Sequence, residues 1–410
     1  MIELRAMYPD AGAQEMVSLL FHEWDLCVTR SVVRQYFAMY EPELVQQRKA
    51  RRLQRRFWAT GVNDIWAVGR HDKWLRFGLA LHTGIEPFSG RILWMKIWHS
   101  NRNSQLILSY YIETVRNLGF IPLVTQSDPG TENFGIASAQ TLLRQMLDPA
   151  LSGFIHHRWM HQKKNVTLGI ASSQLHRRFT TGFELLLDKG VESGWYDVGN
   201  TLQQMVFRWL FIPWLQEELD AYVDRVNNTS KRCDRKKVLP HGIPSLIHTS
   251  AEDYGALDFK VGLGSWAMLM QVKQVTVNPE FVDTVSQLYI NPDHPVFEVV
   301  PPAMNMLISK CYNLLGCPPM TRHSAWDVYC HLVIRVQEHA ETPPLLATIS
   351  DYSTDGDPEA NELKLFPGLQ DLPYNETRYM GGVGGGTGLH MHVSLCVWWP
   401  LLTELQRMNI

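Results

Sequence analysis

The residue best placed to do chemistry is Asp128, in the string Val124-Thr125-Gln126-Ser127-Asp128-Pro129-Gly130-Thr131-Glu132-Asn133-Phe134. Upstream, Gly119-Phe120-Ile121-Pro122-Leu123-Val124 reads as a short apolar strand, and downstream Ala137 to Leu147 has helical spacing. A carboxylate at such a junction has its backbone fixed by the sheet while its oxygens project into a loop-lined cleft, where α/β sheets hold their sites. Asp-Pro-Gly is also a good turn and helix-capping sequence, so on this string alone both readings stand.

The elements that must position Asp128 can be followed along the chain. Asn63-Asp64-Ile65-Trp66-Ala67-Val68-Gly69-Arg70-His71-Asp72-Lys73-Trp74 is expected to hold a strand, and Leu79 to Trp94 reads as strand, turn, strand around Glu86 and Ser89-Gly90-Arg91. Ser104 to Leu118 is an amphipathic helix with Leu106, Ile107, Tyr110, Tyr111, Thr114 and Val115 on one face. Residues 11 to 40 read as two helices around a turn, the second bearing Arg30 and Arg34 with Thr29 as its N-cap. That pattern fits a helix-turn-helix or a plain helical hairpin.

Basic residues are concentrated locally. Arg48, Lys49, Arg51, Arg52, Arg55 and Arg56 are six cations within nine positions, without an acid among them and with Phe57 and Trp58 adjoining. Such a run suits phosphate contacts, which give affinity without sequence choice. It would also serve as a solvated helix face or a nuclear-import signal. Arg158, Lys163 and Lys164 lie in a second basic stretch, with His156, His157 and His161 read as a polar loop. Lys231 and Arg232 lie in a third. Val206 to Leu215, rich in Trp, reads as core.

The Asp128 string resembles the Ser-Asp-x-Gly-x-Glu-Asn segment of the integrase catalytic core, the ribonuclease H-like fold of retroviral and transposon integrases, and the likeness spans roughly residues 15 to 250. It looks closest to the integrase-core proteins of eukaryotic mobile elements. The resemblance makes Asp128 the second of three metal-binding carboxylates. It places the first at Gly69, midway in a Trp-His-x-Asp-x-x-x-Lys-like stretch, and the third at Gly169, within Asn165 to Arg178. Asp64 and Asp72 lie five and three residues from position 69. Side chains alternate faces along a strand, so neither should occupy the missing position.

The family chemistry uses two Mg²⁺ ions about 4 Å apart, one activating the nucleophile and one stabilising the leaving oxygen. Mg²⁺ requires hard oxygen ligands, and with Asp128 alone, even helped by Glu132, the expectation is one weak ion or none. The resemblance therefore implies a transposon-derived, nucleic-acid-binding protein without catalysis, a degenerate polynucleotidyl transferase. The rival is an active transferase using displaced acids with Mg²⁺ or Mn²⁺, and a third reading is a protein-interaction scaffold. No cofactor is otherwise expected. DNA is the expected partner, through phosphate contacts, and self-association as a homo-oligomer is allowed.

Composition bounds these readings. Net charge is −3, so DNA contact must come from local patches rather than a global field. The scattered cysteines form no Cys-x-x-Cys pair, against a zinc ribbon or disulfide framework. No apolar run is long enough to span a membrane, and an intracellular, nuclear protein is expected. The fold class expected is α/β: a ribonuclease H-like mixed sheet flanked by helices. Its organisation is read as a helix-turn-helix-like unit (1–45), a basic connector (46–60), an integrase core-like domain (61–250) and a mostly helical C-terminal region (251–410). In that region Ser350 to Tyr374 is acidic, and Gly381 to Gly388, lacking the Lys-Ser/Thr of a phosphate loop, reads as a linker.

Overall fold

The structure, a computed structural model, describes residues 1–9, 11–42, 59, 61–160, 166–231, 239–254 and 275–348. Strands β1 (Ile65–His71), β2 (Ala80–Glu86) and β3 (Arg91–Trp98) form an antiparallel meander. β4 (Phe120–Ile121) is a short separate strand, and β5 (Val124–Ser127) and β6 (His157–Trp159) complete the main sheet. Its order is β3-β2-β1-β5-β6, with β5 parallel to both β1 and β6. This five-stranded mixed sheet between helices is the ribonuclease H-like arrangement expected.

Helices cover both faces, most of them through an apolar stripe of period 3.6. The first three are α1 (Ile2–Met7), α2 (Ala13–Trp24) and α3 (Arg30–Tyr40). On one face of the sheet α4 (Ser104–Leu118) and α5 (Phe134–Leu147) bury Ile107, Tyr111, Ile136 and Leu143 against Trp66 and Val68. Asn103 caps α4 by accepting from the amides of Gln105 and Leu106, and Gly119 ends it in the left-handed conformation at φ 75°. All six residues expected on the inner face of α4 are buried.

On the other face, α6 (Val166–Leu175) continues through a π-helical turn, His176–Thr180, into α7 (Thr181–Glu192). The long α8 (Thr201–Asn228) follows, and α9 (Pro244–Thr249) is short. The Trp-rich segment of α8 is core, as its composition suggested: Phe207, Phe211 and Leu215 are fully buried.

The expected boundary at residue 250 is not a break in packing. β7 (Val275–Thr276) pairs with β4, and α10 (Pro279–Tyr289) packs its Val282 and Val285 into the core of Trp66 and Tyr111. α11 (Pro302–Leu314) and α12 (Ala325–Glu338) place Met304 and Tyr329 against α8, before the final described helix α13 (Thr342–Thr348). The N-terminal helices dock onto the same body, where Arg225 lies 3.5 Å from Glu15 and 3.2 Å from Glu23. Arg30 and Arg34 remain exposed on α3. The basic connector, Ser350 to Tyr374 and Gly381 to Gly388 lie outside the described residues.

Candidate active-site cleft

Parallel pairing of β1 with β5 runs from Ile65↔Val124 to Val68↔Ser127, so one further step on each strand sets Gly69 beside Asp128. On its other side Gly69 pairs with Thr83 of β2. α6 crosses this face of β1. A Cβ built on Gly69 would stand 2.8 Å from Leu168 Cδ1, closer than carbon atoms tolerate. Leu168 forms a small buried apolar cluster with Ala67 and Ile85. Gly169 is the next residue of the same helix, and a Cβ there would have no neighbour within 4 Å. Gly69 and Asp128 thus meet at one end of the sheet, and Gly169 follows the leucine that packs on Gly69. Two of the three positions expected to carry acids are glycine, and the space of the first is taken by a leucine methyl.

A single guanidinium, that of Arg70, pairs with two of the acids that remain. Arg70 Nε lies 3.1 Å from Asp72 Oδ2, and its Nη1 lies 3.7 Å from Glu132 Oε2. Asp72 also accepts from Asn101 Nδ2 at 2.9 Å, and Glu132 accepts from Asn133 Nδ2 at 2.9 Å. Burial pushes the Asp128 carboxyl above the ordinary carboxylate range and Arg70 pulls it back. Burial likewise raises Glu132, with Arg70 opposing and the charges of Asp72 and Asp128 adding to the rise. Asp64 precedes the first residue of β1, at the opposite end of the strand pair from Asp128, and cannot stand in for the first acid.

Among the described residues no three His, Cys, Asp or Glu side chains are grouped closely enough to hold a metal ion. The Mg²⁺ pair implied by this fold needs bridging carboxylates. A leucine on a glycine does not fit it.

Glu86, the acid beside the expected Ser-x-Arg-like turn, closes the β2–β3 connection. Its carboxylate accepts from the amides of Phe88 and Ser89, both at 2.8 Å, and from Ser89 Oγ at 2.5 Å. Burial raises its pKa and these bonds oppose the rise. Lys231 is drawn into the same turn, donating to the carbonyls of Gly90 at 2.8 Å and Ser89 at 3.2 Å. Its ammonium is therefore occupied by backbone, unlike the projecting cation expected from sequence. Arg158 lies in β6, in register with Gln126 and half-buried. Arg48, Lys49, Arg51, Arg52, Arg55, Arg56, Lys163, Lys164 and Arg232 fall outside the described residues.

Two of the three histidines expected in a polar loop are instead buried, His157 in β6 and His156 just before it, and His161 lies outside the described residues. His157 lies between Thr125 Oγ1 (2.8 Å) and Ser127 Oγ (3.0 Å), and burial pushes its pKa down to about 3. His156 is pushed down to about 4, chiefly by burial. Sequence reasoning missed Leu168 and Arg70. The available signal for Leu168 was Gly69 itself, since glycine inside a strand often marks close approach of another element.

Comparison with known proteins agrees with this geometry. A family model described as integrase core domain matches residues 57–248, the span holding Gly69, Asp128 and Gly169. No curated protein matches the chain. No described helix is long and apolar enough to cross a membrane. Residues 57–248 are thus an integrase core-like domain on a ribonuclease H-like fold.

Proposed function

We propose that this is a mobile-element-derived integrase core that has lost strand-transfer chemistry and retains nucleic-acid binding. The observation that carries the loss is Leu168 seated on Gly69, where the family mechanism needs an oxygen ligand. Gly169 offers no ligand either, and Arg70 supplies beside Glu132 and Asp72 a positive charge that metal ions would otherwise bring. Asp128 is then a remnant of the catalytic set.

Binding is supported by the family and by the cation run from Arg48 to Arg56, joined by Lys163, Lys164 and Arg232. These are point charges for phosphates and would contact DNA without reading its bases. The helices α2 and α3, with Arg30 and Arg34 exposed, suit a second contact of helix-turn-helix type. Action on DNA implies residence in the nucleus, and the cation run doubles as an import signal.

The test is fluorescence anisotropy on duplex DNA across a salt series, with a nicking assay in Mg²⁺ and Mn²⁺. Binding that weakens steeply with salt and no metal-dependent cleavage is expected. Nicking that disappears in Asp128→Ala would overturn the inactive reading in favour of displaced acids. Failure to bind DNA at low salt would leave the scaffold reading.

A further inference from the structure

A cavity of about 870 Å³ lies between α8 and the segment around α11, away from the cleft of Gly69 and Asp128. One wall is the stretch of α8 holding Trp209, Pro213, Trp214 and Glu217. The other includes Glu298, Asn305 and Tyr312. This second wall lies wholly beyond the residues that match the integrase core.

Two features give the cavity its chemistry. The first is aromatic: the Trp209 and Tyr312 rings sit edge to face with centroids 5.2 Å apart. Their polar edges are already engaged, Trp209 Nε1 donating to Asn305 Oδ1 at 2.7 Å and Tyr312 OH to the Pro318 carbonyl at 2.5 Å. What remains for a ligand is the π surface. The second is charge: Glu217 and Glu298 line opposite walls, and among the described residues neither carboxylate has an ion-pair partner and no Lys, Arg or His lines the cavity.

Ring faces and two carboxylates both favour a cation and disfavour an anion. The volume exceeds that of one side chain and falls within the range of ligand pockets, roughly 300–1,000 Å³. We propose that this cavity receives a lysine or arginine side chain, with its flanking residues, from a basic segment of a partner protein. The cation would lie over the rings of Trp209 and Tyr312 and between the carboxylates.

Isothermal titration of the full chain with alanine-rich heptapeptides tests this, the central residue being arginine, lysine, trimethyllysine or norleucine. The cationic peptides should bind about tenfold more tightly than the norleucine peptide. That advantage should fall to about twofold or less in Glu217→Gln/Glu298→Gln, whose positions are not in the buried core, with an unchanged melting temperature confirming the fold. Trp209→Leu should abolish the preference by removing the ring. Equal affinity for norleucine, an advantage that survives the double replacement, or no binding of any peptide at millimolar concentration would each overturn the proposal.

Discussion

Leu168 Cδ1 stands 2.8 Å from the point where any side chain at Gly69 would begin. The contact joins two elements remote in sequence, the second half of β1 and the first turn of α6, and it converts a metal-ligand position into part of an apolar cluster with Ala67 and Ile85. The position is apolar as well as without a ligand, and the atom nearest to it is the end of one leucine side chain.

Gly69→Asp should therefore be destabilising, by on the order of 2 kcal/mol, because the leucine must move and a second carboxylate is buried beside Asp128. The same replacement in a Leu168→Ala background should be milder, since residues in contact are not additive. Urea denaturation of the four proteins of this cycle measures the coupling. An identical penalty in both backgrounds would mean that Leu168 is not what opposes an acid at position 69.

Gly169→Glu should behave in the opposite way. A side chain there meets nothing within 4 Å, and exchanging a helical glycine for a good helix former contributes up to about 1 kcal/mol. The melting temperature should rise or hold. A fall would show that helix α6 packs against a surface that the glycine was needed to clear.

Glu132 is buried, and its pKa is raised above the ordinary 4.5, chiefly by that burial. The folded chain thus holds this proton more firmly than the unfolded chain. The resulting penalty is full at neutral pH and disappears as pH falls through the raised value to below 4.5. Glu132→Gln should melt higher than the parent at pH 7, and the gap should close on acidification. A gap that stays constant from pH 7 to pH 4 would assign the effect to packing instead of charge.

Much of this was legible in the sequence because it rests on local pattern. Ser104–Leu118 shows its buried face in its spacing, and Val124–Ser127 announces a strand that delivers Asp128 to the sheet's end. The register that brings Gly69 beside Asp128 follows from aligned motifs. What escaped depends on long-range packing. Lys231 reads as a free cation until the β2–β3 turn is seen to present the carbonyls of Ser89 and Gly90 to it. His156 and His157 sit in a basic stretch whose polarity suggested a loop, yet the strand pairs with β5 and buries them. Nothing local reveals that Val275–Thr276 adds to Phe120–Ile121.

His157 makes the chain sensitive to mild acid. Its pKa is held down at about 3, against 6.5 for the free side chain. The unfolded chain takes up the proton first, so stability is lost as pH falls below 6.5 and continues to fall toward about 3. One such histidine contributes at most about 1.4 kcal/mol per pH unit. His157→Gln should flatten the slope of melting temperature against pH between 6.5 and 4, even if it lowers stability at pH 7. An unchanged slope would mean that His157 is solvated.

Lys231 separates tethering from DNA contact. Its ammonium donates to two carbonyls of the β2–β3 turn and helps offset the buried charge of Glu86. Lys231→Met should cost about 1.5–3 kcal/mol of stability, the range for hydrogen bonds made by a charged group. It should leave the salt dependence of DNA binding as it was. Removing a cation that does reach phosphate lowers the slope of log affinity against log salt by about 0.9 on duplex DNA, so Arg51→Gln/Arg52→Gln should lower it by about 1.8 if both make contact. Anisotropy titrations at several salt concentrations distinguish the two behaviours. If Lys231→Met lowered the slope by a full contact while stability held, the lysine would be released from the turn to meet DNA, and the turn geometry would describe only the unbound state.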